Sequence, residues 1–244
     1  TRSLAPHDGY FHGLTLGIDY KDFDESIELI GADSLTTPIS YHKLSAEYSG
    51  TYLGATGTTR FGVGMHWAFR GLTNDEREFE DKRFKSRPNF MYFSTNIERL
   101  QNLPLAFQLF ARLSGQVTKE PLISNEQFSL GGYDTVRGYL ESQVFVDDGV
   151  NTVFEFRSPV FSLFKLAKQN KLRLISFVDT GFGRIQEPLP VQAESFFIWS
   201  TGLGMTANLF DGINANLYWA YPLSDNGTLE AGNSRLHFSA AYQF

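Results

Sequence analysis

Apolar and polar residues alternate with a period of two in about ten separate segments of this chain, and nothing constrains its fold more. A helix would bring residues three and four apart onto one face, whereas a strand sends successive side chains to opposite faces. In the last segment, Leu236, Phe238, Ala240, Tyr242 and Phe244 share one face, with Arg235, His237, Ser239, Ala241 and Gln243 on the other. The segment before it sets Ile213, Ala215, Leu217, Trp219 and Tyr221 against Asn214, Asn216, Tyr218 and Ala220. Earlier segments fall near 11–23, 37–48, 57–70, 88–99, 104–119, 151–160, 171–180 and 196–208. The expected fold is all-β and antiparallel.

The links add a second pattern. Long polar links near 24–36, 71–87, 120–150, 182–195 and 222–234 alternate with short ones near 49–56, 100–103, 161–170 and 209–212. Outer-membrane barrels have long extracellular loops and short periplasmic turns, and a soluble sandwich has no reason to sort its loops by end. Mean hydropathy is −0.23, and no apolar run approaches the roughly 20 residues of a spanning helix. A strand with one lipid face and one lumenal face averages to mildly polar, so these values suit a barrel. The 23 Phe and 11 Tyr with no Cys fit a chain that crosses an oxidising periplasm. Tyr41, Trp67, Tyr92, Trp199, Trp219 and Tyr221 are candidates for interfacial girdles. The charged run from Thr73 to Lys85 reads as a solvated loop. A net charge of −6 and the lack of a basic stripe argue against nucleic acid as a partner. The first residue is Thr1, with no signal-peptide pattern, so a mature or truncated chain is expected.

Within 120–150 lies Glu126-Gln127-Phe128-Ser129-Leu130-Gly131-Gly132-Tyr133-Asp134-Thr135-Val136-Arg137-Gly138-Tyr139. It sets one arginine among glycines in a long loop. About forty residues on comes Phe177-Val178-Asp179-Thr180-Gly181, where Arg173, Phe177 and Asp179 share a face opposite Leu174 and Val178. A face that carries Arg and Asp does not suit lipid, so Asp179 should point inward. A guanidinium that reached it would bind the carboxylate as a two-pronged fork. Glu155 and Arg157, alternating with outward Phe154 and Phe156, add further lumenal charges.

These two motifs, in this order, resemble the POTRA-and-barrel superfamily of outer-membrane transporters. The wording EQFSLGG–VRGY resembles its two-partner secretion branch, the haemolysin-activator translocators. The resemblance implies a 16-stranded transmembrane barrel with Val136-Arg137-Gly138-Tyr139 in its sixth extracellular loop. The ten segments here would be the seventh to sixteenth strands, with the first strands and the POTRA domains absent. It implies a loop tip locked to the wall through Val136, Arg137, Gly138, Tyr139, Phe177, Asp179 and Gly181. It also implies a C-terminal assembly signal at Tyr242 and Phe244. The implied function is passage of a partner exoprotein, resembling a haemolysin or adhesin, from periplasm to surface. Implied partners are that exoprotein, outer-membrane lipid and the barrel-assembly machinery, with no cofactor.

Two other readings share the barrel. An assembly factor of the same superfamily carries both motifs, and the POTRA count would separate it. A small barrel enzyme would need loop-end catalytic residues. His42, His66 and His237 lie within strands, and no nucleophile or metal spacing surrounds the histidines, so neither catalysis nor a metal is expected. Asp147-Asp148-Gly149 lacks the remaining ligands of a calcium loop. Asn226-Gly227-Thr228 matches a sequon, which carries no information in a bacterial barrel.

Overall fold

The computed structural model describes residues 1–24, 26–27, 35–69, 71, 75–162, 170–210, 212–225 and 231–243. The strands are β1 (Arg2–Ser3), β2 (Tyr10–Phe23), β3 (Ser26–Ile27), β4 (Leu35–Thr36), β5 (Ile39–Gly54), β6 (Gly57–Ala68), β7 (Met91–Asn102) and β8 (Gln108–Thr118). They continue as β9 (Phe128–Leu130), β10 (Val144–Val146), β11 (Asp148–Arg157), β12 (Lys171–Arg184), β13 (Ser195–Leu209), β14 (Ile213–Pro222) and β15 (Arg235–Tyr242). One short helix, α1 (Glu76–Lys82), lies between β6 and β7.

Eleven strands form one antiparallel sheet in the order β1-β2-β5-β6-β7-β8-β11-β12-β13-β14-β15. Its ten long strands correspond to the ten alternating segments, and short β1 adds to the edge of β2. Alternation dictates what each face shows. Leu14, Leu16, Ile18 and Tyr20 of β2, Phe154 and Phe156 of β11, Leu203 of β13, and Leu236, Phe238 and Tyr242 of β15 are all exposed. An apolar face this broad is what lipid contact requires, and the fold is that of a transmembrane β-barrel wall.

The opposite face curls around the β8–β11 link, residues 119–147. This loop bonds to Lys21 of β2 at one side and to His237 of β15 at the other. Its two limbs pair as a hairpin, with Phe128–Leu130 against Val144–Val146. Leu130, Val136, Tyr139, Val144 and Val146 then bury themselves against Ile185 and Ile198. A second cluster gathers Ile39, Tyr41, Phe79, Phe90, Tyr92, Leu122 and Ile123.

Four local expectations change. The segment 104–119 starts as a strand only at Gln108, because Pro104–Ala106 form a 3-10 turn with Leu105 at positive φ. The run from Thr73 to Lys85 is not simply a solvated loop: Glu76–Lys82 coil into α1, capped by Asp75 and anchored by fully buried Phe79. The long link expected over 182–195 is shortened to 185–194. The cause is strand length, because β12 continues to Arg184 beyond the expected end at 180. Finally, Tyr41 and Tyr92 are not girdle residues. They sit at inward positions and are buried, while Trp199, Trp219 and Tyr221 face outward.

Candidate functional site

Arg137 stands at the tip of the inward loop and is buried with Asp179 and Glu155. Its Nε donates to Asp179 Oδ2 at 2.7 Å and its Nη2 to Asp179 Oδ1 at 2.8 Å. Its backbone N–H also reaches Asp179 Oδ2, at 3.1 Å, and its Nη1 donates to Glu155 Oε1 at 2.8 Å. The fork fixes the plane of the guanidinium as well as its distance. That plane lies over two rings, 3.6 Å from the centre of Phe177 and 4.8 Å from that of Tyr218. Burial would lower the pKa of Arg137, yet the Asp179 and Glu155 contacts outweigh it and raise the pKa.

The wall is shaped to receive this tip. A Cβ on Gly181 would come within 3.0 Å of Val136 Cγ2, so the loop packs where the strand has no side chain. Gly138 holds φ +95° and donates its N–H to His237 Nε2 at 2.9 Å. The hydroxyl of buried Tyr139 donates to the Ser224 carbonyl oxygen at 2.8 Å, with the Trp199 carbonyl oxygen at 3.1 Å. The structure therefore brings Val136, Arg137, Gly138 and Tyr139 together with Phe177, Asp179, Gly181 and Glu155. Arg157 joins through Glu155, its Nε donating to Oε2 at 2.8 Å while its guanidinium covers Phe110. Arg173 stays apart and bonds Gln108 Oε1 on β8 at 2.5 Å. Tyr242 is exposed on β15, and Phe244 lies outside the described residues, as do Asn226-Gly227-Thr228.

Two anchors at the base of the loop have no counterpart in the sequence reading. Glu126 is buried, and its Oε1 accepts from Lys21 Nζ at 2.5 Å and the Tyr41 hydroxyl at 2.6 Å. Its Oε2 accepts from Lys43 Nζ and the Tyr92 hydroxyl, both at 2.8 Å. Burial pushes the Glu126 carboxyl up, but the bonds from Lys21 and Lys43 prevail and hold its pKa below the usual value. Asp147, on the other limb, is fully buried. Its Oδ1 accepts from Arg83 Nη1 at 2.5 Å and Leu122 N–H at 2.9 Å, its Oδ2 from Arg83 Nη2 at 2.6 Å and Gln186 N–H at 2.7 Å. A signal for the first anchor was available. Lys21 and Lys43 occupy inward strand positions, and a cation there needs an acid. In the sequence His237 reads as a strand histidine, and only the fold brings it to Gly138.

A protein-family model for the haemolysin secretion/activation proteins ShlB/FhaC/HecB matches residues 35–207, more than half of the chain. The chain belongs to this family. Its members are secretion transporters. The solved structure of CdiB from Escherichia coli superposes with a TM-score of 0.78 at 15% identity, covering 98% of this chain and 43% of that one. CdiB from Acinetobacter baumannii gives a TM-score of 0.68 at 16% identity, covering 99% of this chain and 40% of that one. At these identities the likeness establishes the family's barrel fold. The chain thus spans about two fifths of the length of the solved structures it resembles. No curated protein sequence matches it.

Proposed function

We propose that this chain forms the wall and inward loop of an outer-membrane pore that passes an unfolded partner exoprotein from the periplasm to the cell surface. The observation that carries this reading is the buried fork of Arg137 on Asp179, backed by Glu155, in a chain of a secretion family. A buried pair of charges is a poor way to gain net stability, because desolvation offsets the attraction. It is a good way to hold a loop in one specific place and release it as a unit. The exposed apolar face supports a lipid setting, and the exit of β15 with Tyr242 outward suits recognition by the barrel-assembly machinery. Folding of the exported protein outside would drive passage, and no residue here is assigned a catalytic step.

The test is Arg137→Ala in the full-length transporter. Removing one partner of a buried pair costs about 3–5 kcal/mol locally, enough to unseat the tip while leaving the strands paired. Barrel insertion should stay near normal while secretion of the partner falls at least several-fold. Secretion at the wild-type rate would refute the loop-lock reading.

A further inference from the structure

We propose that His237 is a positioning residue for the loop tip and that only its neutral ring seats the tip. The Gly138 backbone N–H points at His237 Nε2 from 2.9 Å. A backbone N–H can only donate, so Nε2 must offer its lone pair and the ring proton must sit on Nδ1. Protonation would place an N–H against an N–H at the glycine beside Arg137. The contact that seats the tip becomes a repulsion.

The surroundings set how the ring answers to pH. His237 lies opposite Tyr218 of β14, and the Tyr133 ring of the loop tilts against it with centroids 6.3 Å apart. Burial, and then Arg137 of the loop and Arg235 of its own strand, oppose a positive charge on the ring, while Glu141 of the loop and Asp179 of β12 favour one. Gly138 packs closely on β14. Its φ is +95°, and an added Cβ would meet Pro222 and Ala220 within 3.3–3.4 Å. The Arg137 guanidinium stays charged, so the histidine gives the tip an acid response that does not depend on the loop's own cation.

This inference rests on the inward loop being the moving part of the proposed pore, and its test reads loop seating without any exoprotein. The full-length transporter is followed by hydrogen exchange of the peptide spanning Gly138, as protection factors corrected for intrinsic rate at pH 7.5 and 5.5. In the native protein, protection should fall several-fold between the two. His237→Gln supplies an acceptor that does not titrate, so protection should stay high at both. His237→Leu supplies none, and protection should be low at both. A His237→Gln variant that keeps the native pH response overturns the proposal, as does a His237→Leu variant as protected as the native protein. Either result leaves the Arg137→Ala secretion test standing on its own.

Discussion

A guanidinium held by two carboxylates can release one of them without becoming a bare buried charge. Arg137 is placed this way between Asp179 and Glu155, and Glu155 is itself shared with Arg157. Glu126 is arranged in the opposite sense, as one carboxylate surrounded by two ammonium groups and two phenols. Its lowered pKa fixes the sign of its response to acid. Its contribution is complete above the pH where an unfolded glutamate ionises, about 4.3, and is lost only as pH falls through the lower folded value. The loop base should therefore stay protected from hydrogen exchange at pH 5.5, where the tip has already loosened, and open only in stronger acid. Glu126→Gln should expose residues 122–128 several-fold at neutral pH. Unchanged protection in that variant would mean that the carboxylate carries nothing there.

At the scale of elements, a loop is held by another loop. α1 is too short to be stable as an isolated helix, and Phe79 keeps it in place by packing on Tyr41 and Phe90. Arg83, just past its end, delivers both Nη atoms to Asp147. Phe79→Ala should cost about 3–5 kcal/mol of docking energy and free the β6–β7 link and the base of the inward loop together. Limited proteolysis of intact cells should then cut within both segments, and cleavage of the first alone would show them to be uncoupled. This arrangement also shows what the sequence could reveal. Strand parity located Asp179, Glu155 and Arg157 from neighbours in the chain, and the glycines around Arg137 marked its loop. The partners of Asp147 and Glu126 were hidden for a physical reason. Arg83 lies 64 residues from Asp147, and Lys21 lies 105 from Glu126. Such pairs are chosen by curvature across several strands, which a period of two does not encode. Phe79 was masked by its setting, one apolar residue in a run of charges.

For the molecule as a whole, the sheet has two margins. Among the described residues, β15 pairs only with β14, and β1 only with β2. Unpaired strand edges are costly in hydrocarbon, where no water satisfies them. The 244-residue chain by itself should therefore not yield the wide, steady conductance of an open pore in planar bilayers. Such a conductance would show that these strands close without help. The loop bears on how the wall is built. Its base is tied to β2 and its tip to β15, so both ties together need almost the whole width of the sheet. Contacts this distant in sequence form late. A loop protected at both base and tip therefore marks a sheet in which the strands from β2 to β15 are all in place.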